Sequence, residues 1–162
     1  MKPDPRIGLL LAVLDQAYGS RSWHGTTLRG AVQAVDPAEA LWRPAPNRHC
    51  IWDLVLHCAY WKYAVRRRLA GAGRRSFPRS PSNWPRVPDR PDERAWRDDL
   101  ELLDAEHASL RRTVAAMSGR QLDSRSPRGA WRNIEQIHGV AAHDVYHTGQ
   151  IQLLKRLMKQ SR

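Results

Sequence analysis

His143 and His147 stand four residues apart in the stretch His143-Asp144-Val145-Tyr146-His147-Thr148-Gly149-Gln150. On a helix that spacing leaves about 40° of rotation and one turn of rise between them, so both imidazoles project from one face, close enough to hold the same ion. Steps of three and four continue the face through Val140, His143, His147, Gln150, Leu154 and Leu157. Apolar residues share this stripe with two histidines and an amide, so it is expected to face the interior. Polar groups there need partners, because an unsatisfied buried one costs about 1–3 kcal/mol. A third histidine, His57, sits in the middle of another apolar stripe: Cys50, Leu54, His57, Trp61, Ala64. If the two helices are neighbours, His57 meets His143 and His147 across the core. Three neutral imidazoles suit Zn²⁺, Ni²⁺, Fe²⁺ or Mn²⁺ and leave a position for water or substrate. The plainer alternative is a set of partly buried histidines held by ordinary hydrogen bonds.

Other residues are candidates for supporting roles. Gln150 lies one turn after His147, where it either bonds a neighbouring helix or orients a metal-bound water or substrate. His107 on a core stripe and His24 in a helix-end turn are each a hydrogen-bonded histidine, an acid/base group beside the ion, or a fourth ligand closing a purely structural site. Asp53 precedes His57 by one turn and is placed to hold its second ring nitrogen, or else to face solvent. Asp144 is rotated about 100° from His143, which disfavours direct ligation. Trp52, Trp61, Trp84 and Trp131 read as packing residues, with Trp61 on the face of His57. No nucleophile elbow, Gly-rich phosphate loop or HExxH pattern is present, so a metal would have to carry the chemistry.

The elements that must position these residues are helical. Leu9, Leu10, Val13, Leu14 and Ala17 give one face from about Pro5 to Tyr18, stopped near Gly19-Ser20. Leu28, Ala31, Val32 and Val35 predict more helix, and Asp36-Pro37 is a start signal with Asp as cap and Pro in the first helical position. A long helix is expected from about Cys50 to Leu69, ended by Gly71 and Gly73. Five prolines between 72 and 91 exclude regular structure there. Leu100, Leu103, His107, Leu110, Val114 and Met117 predict a long helix over 92–117, closed by Gly119. After a polar stretch, 120–130, Asn133 is the expected cap of a final helix over 133–159. No run alternates as a strand does. The expected fold class is all-α, a four-helix bundle with one long crossover loop, an architecture that builds metal sites from facing helices.

At 162 residues one domain spanning 1–162 is expected. Cys50 and Cys58 lie about 12 Å apart if they share a helix, too far for a disulfide. That points to a reducing, cytoplasmic setting. The apolar run Ile7–Leu14 lacks a small-residue cleavage pattern and continues helically, unlike a signal peptide. Nothing approaches the roughly 20 apolar residues of a membrane span. The formal charge of +11, with arginine supplying 23 of the 27 basic residues, raises nucleic acid as a partner. Eight arginines fall between 66 and 90, mostly in the Pro-rich connection, and no helix-turn-helix, zinc-finger or RNP-like pattern accompanies them.

Leu56-His57-Cys58-Ala59-Tyr60-Trp61 and His143-Asp144-Val145-Tyr146-His147-Thr148-Gly149-Gln150-Ile151 resemble the DinB/YfiT-like family over essentially the whole chain. Ser22-Trp23-His24-Gly25 and Ser82-Asn83-Trp84 are similar to one branch of it. The resemblance implies an up-down-down-up four-helix bundle and a divalent metal, usually nickel or zinc, on His57, His143 and His147. It further implies a homodimer and a small-molecule substrate. Some relatives are thiol-S-transferases using low-molecular-weight thiols, others maleylpyruvate isomerases. The expected function is a metal-dependent hydrolase or thiol-S-transferase. The competing reading is a basic nucleic-acid-binding or stress-response module with a structural or vestigial metal site. Steep salt dependence and a continuous basic face would mark the second reading. Scattered arginines and a concave pocket over the histidines would mark the first.

Overall fold

A computed structural model describes residues 4–19, 21–71, 76–125 and 130–161. These residues form seven helices: α1 (Pro5–Tyr18), α2 (Leu28–Val32), α3 (Pro37–Leu41), α4 (Ile51–Leu69), α5 (Glu93–Ala115), α6 (Gly119–Asp123) and α7 (Asn133–Gln160). Among the described residues there is no strand, only an isolated bridge between Arg125 and Arg132. Among the described residues no helix is long and apolar enough to cross a membrane. Ser20, Gly73, Arg74, Arg75 and part of the expected polar stretch 120–130 lie outside the described residues.

The helix starts follow capping chemistry, in which a side-chain acceptor satisfies one of the free N–H groups of the first turn. Asp4 accepts from Arg6 N at 2.9 Å, Asp36 from Glu39 N at 2.8 Å and Asp92 from Ala95 N at 2.9 Å. Prolines occupy the first position of α1 and α3. At α4 the cap is a cysteine: Asp53 N donates to Cys50 Sγ at 3.5 Å, while the Asp53 carboxylate accepts from Cys50 N at 2.9 Å. The left-handed Gly71, φ +68°, follows α4. α6 was not anticipated; Ser118 and Gln121 form its capping box inside a stretch that reads as polar coil. α7 starts with Arg132 as the cap residue, one before the expected Asn133. The Asn133 amide is occupied elsewhere, donating to Gln121 O at 2.8 Å and so joining α7 to α6.

α4 packs against α5 and α7, and α1 against α7 and α5, while α2, α3 and α6 cover the ends. The buried apolar residues divide into two clusters. One holds Tyr18 from the end of α1, the first half of α4, Trp96 and Leu103 from α5, and Ile151, Leu154 and Met158 from late α7. The other holds the rest of the α1 face, Val65 from late α4, Leu110 and Val114 from late α5, and Ile137, Val140 and Ala141 from early α7. Between the clusters, in sequence order along the helices, fall the buried polar residues Lys62 on α4, His107 on α5, and Asp144, His147 and Thr148 on α7, while His57 lies a little earlier on α4 among residues of the first cluster. Together they form a buried polar band.

Candidate metal centre

α4 and α7 bring the three histidines together. His143 Nε2 lies 3.1 Å from His57 Nε2 and 3.1 Å from His147 Nε2. His57 and His147 are buried, 6% and 5% exposed, and His143 is half-buried. The outward ring nitrogens decide which way the lone pairs point. His57 Nδ1 meets the main-chain carbonyl of Asn83 at 2.7 Å, and a carbonyl only accepts, so Nδ1 carries the proton. His147 Nδ1 likewise meets Gln150 Oε1 at 2.6 Å. Both Nε2 atoms are therefore bare acceptors aimed at His143 Nε2. The His143 ring can donate from Nε2 to one of them at most, and its own Nδ1 is buried without a partner.

Burial pushes the His57 imidazole down to about 4, the Asn83 carbonyl opposing and His147 reinforcing the effect. Burial pushes His143 down to about 3, with His147 and His57 adding to it, and also lowers His147, against the pull of Gln150. All three rings are neutral near pH 7, the state that binds a metal. The three ligand atoms lie within 4.8 Å of one another. Two metal–nitrogen bonds of about 2.0–2.1 Å opened to between 90° and 110° would separate two nitrogens by about 2.9–3.4 Å, which brackets the observed 3.1 Å. The donor set, its tautomers and its spacing fit a divalent cation.

The walls come from a loop the sequence reads as irregular. Trp84 stacks on His57 with centroids 3.8 Å apart and planes 9° apart. On Trp84 also stacks His49, at 3.7 Å and 7°. Asn83 adopts φ +70°, a left-handed conformation asparagine tolerates better than most residues. Its carbonyl faces His57, and its Oδ1 accepts from Trp61 Nε1 at 2.9 Å. Trp61 presents its indole to His57 and His143 at 6.3 and 6.0 Å between centroids. Neither Asn83 nor Trp84 sits at a spacing that links it to the histidines; the resemblance of Ser82-Asn83-Trp84 singled out both, and Trp84 otherwise reads as a packing residue.

Next to the triad lies a charged pair that sequence reasoning missed. Lys62 on α4 and Asp144 on α7 form a salt bridge with both side chains fully buried. Burial pushes the Asp144 carboxyl up while the Lys62 ammonium holds it back. Lys62 lies on α4 between Trp61 and Tyr63 and four residues after the buried Cys58, and that helical spacing was the available signal.

The remaining candidates are placed as follows. Gln150 holds His147. Asp53 does not hold His57; Arg43 binds it at 2.5 Å, and its other work is the α4 cap. His107 stacks on Tyr18 at 3.8 Å and 12° and lies 3.8 Å from Asp15. His24 is exposed, with Nε2 3.2 Å from Gln16 O. The structure joins neither His107 nor His24 to the three-histidine group. Trp52 is a packing residue whose Nε1 donates to Asp99 at 2.8 Å, whereas Trp131 is 65% exposed. Trp131, Trp61 and His143 share the lining of a cavity of about 660 Å³ between α4 and α7.

Fold and site together define an all-helical protein with a buried group of three histidines suited to a divalent metal. The family model of the DinB superfamily matches residues 22–151, and the chain belongs to that superfamily. Searches of curated proteins and of solved structures gave no match.

Proposed function

We propose that this protein is a metal-dependent enzyme acting on a small molecule, of hydrolase or thiol-S-transferase type, with His57, His143 and His147 as ligands of nickel or zinc. The observation that carries the reading is the pair of locked tautomers: Asn83 O and Gln150 Oε1 each take an Nδ1 proton and leave Nε2 lone pairs converging on one point. When bound there, a divalent ion would acidify a coordinated water or thiol. The protein's own part is to hold the rings. Asn83 and Gln150 fix two of them, Trp84 covers the face of His57, and Trp61 walls the side toward His143. Among the described residues no fourth His, Cys, Asp or Glu joins the group of His57, His143 and His147, while Cys58 and Asp144 group separately with His143; a three-ligand set favours an open, reactive centre over a closed structural one.

The up-down-down-up four-helix bundle belongs to the same proposal. It is supported by the order in which the two apolar clusters occur along each long helix: α1 and α7 run from one to the other, α4 and α5 the reverse way. A cytoplasmic homodimer is the assembly we infer from the resemblance. The nucleic-acid reading has the charge in its favour, but several arginines are engaged within the fold. Arg66 pairs with Glu106, Arg79 with Asp99 and Arg43 with Asp53.

The test is metal content by mass spectrometry on untagged protein never exposed to chelator, beside His57→Ala and His147→Ala. Near-stoichiometric metal in the wild type and its loss in both variants is expected. Little metal in all three after reloading would refute the proposal.

A further inference from the structure

The cavity between α4 and α7 has a chemistry of its own. Its walls are the indoles of Trp61 and Trp131 with Val65 and Val140, and His143 lies among its lining. Two charged side chains reach it, Arg68 and Glu135. They are not equivalent. The Glu135 carboxylate is already engaged, accepting from Arg132 N at 2.6 Å and from Arg132 Nη2 at 3.2 Å, and those bonds hold it below the usual carboxylate range. Arg68 lies over the Trp61 ring at 5.5 Å and, among the described residues, has no carboxylate within ion-pair distance. The spare charge of the cavity is therefore positive, and it sits on an aromatic wall.

Gly139 completes the argument. It lies in α7, lines the cavity, and a Cβ built on it meets nothing within 4 Å. Gly139 is exposed, as open as Gly8 and Gly149 in the other helices, and what sets it apart is that it lines the cavity, where a larger side chain would take up the space. Trp131, 65% exposed, adds a large indole left open to solvent at the same place. Its main chain is held by Gln136 Nε2, which donates to Trp131 O at 3.3 Å. Flat apolar walls with one cation bind a flat apolar body bearing one anion.

We infer that this cavity binds aromatic carboxylates, with the ring system between Trp61 and Trp131 and the carboxylate on the Arg68 guanidinium. The inference deepens the proposed function by naming a substrate class for the same centre, since His143 belongs to both. It rests on that reading for the chemistry but not for the binding.

Isothermal titration with 2-naphthoate and its uncharged isostere 2-naphthamide tests it, on metal-loaded and metal-free wild type, Arg68→Gln and Gly139→Leu. Wild type is expected to bind naphthoate saturably and naphthamide about tenfold more weakly, the worth of one charge-assisted contact. R68Q should bring naphthoate down to the level of naphthamide. G139L should abolish binding of both probes while taking up metal as the wild type does and melting no lower. Equal affinity for the two probes, no saturation at millimolar naphthoate, or undiminished binding to G139L overturns the inference. Naphthoate binding without metal uptake in any form would sink the metal-enzyme reading and leave the cavity standing. Metal uptake without naphthoate binding does the opposite.

Discussion

Replacing Lys62 with methionine keeps the aliphatic stem and removes only the ammonium, which makes it a clean probe of the polar band. The Asp144 carboxylate would then be buried with no cation; among the described residues Lys62 is the only bonding partner of its Oδ2, and its Oδ1 has none. Breaking one half of such a pair costs about 3–5 kcal/mol. The carboxyl has an escape, which is to take up a proton. From an unfolded pKa of about 3.9, neutralisation at pH 7 costs about 1.36 × 3.1, or roughly 4 kcal/mol, and at pH 5 only about 1.5 kcal/mol. These figures cap the charge part of the penalty at each pH, to which the unpaired neutral carboxyl adds a pH-independent part. With its folded pKa raised above the unfolded value, the carboxyl binds more protons folded than unfolded. Its variant is therefore least impaired at low pH and loses stability as pH rises above about 4, by up to about 1.4 kcal/mol per unit. Urea unfolding of wild type and Lys62→Met at pH 5, 6 and 7 measures the difference directly. The double variant Lys62→Met/Asp144→Leu should recover most of the loss. A single-variant penalty below 1 kcal/mol at pH 7, or one that does not shrink at pH 5, would refute the account of a buried ion pair.

Gln150→Leu removes the acceptor of His147 Nδ1 and should weaken metal binding about 10–100-fold in a chelator competition, with the metal-free melting temperature little changed; an unaltered affinity would show that the amide does not set the tautomer. Metal at 100 times its Kd should stabilise the wild type by about 2.7 kcal/mol in urea unfolding and leave His147→Ala unmoved. Burial also depresses His107, to about 3, with Lys62 adding to it and Asp15 opposing. Its unfolded form near 6.5 binds a proton that the folded form refuses, so its stabilising share is full above about pH 6.5 and is lost as pH falls toward 3. His107→Phe should accordingly flatten the acid side of the stability profile by up to about 1.4 kcal/mol per pH unit, and an unchanged acid slope would count against a neutral buried His107.

The helices were legible because their signals are local. Asp36-Pro37, Gly71 and the stripes of α1, α4, α5 and α7 depend on residues within a turn of one another, and these helices begin and end within about two residues of where the pattern places them. The ligand candidates were legible for the same reason: an i,i+4 pair and a histidine on an apolar stripe are helix properties. What escaped was set by contacts far apart in the chain. Asn133 is a good cap by type, but its amide goes to Gln121 and Ser124. That bond exists only because α6, hidden in polar sequence, docks beside α7. Asp53 lies one turn from His57 and was a candidate either to support it or to face solvent, yet the support comes from Asn83, 26 residues on. A main-chain carbonyl is supplied by any residue type, so composition carries no trace of it. Lys62 shows the opposite case. As a charged residue it does not read as core, yet it is fully buried, and its partner is Asp144, whose angle of about 100° from His143 disfavours direct ligation. The same rotation that sets Asp144 off the face of His143 and His147 turns it toward Lys62, so that α7 presents its histidines to His57 on one side and, one residue on, an anchor to the helix that carries His57.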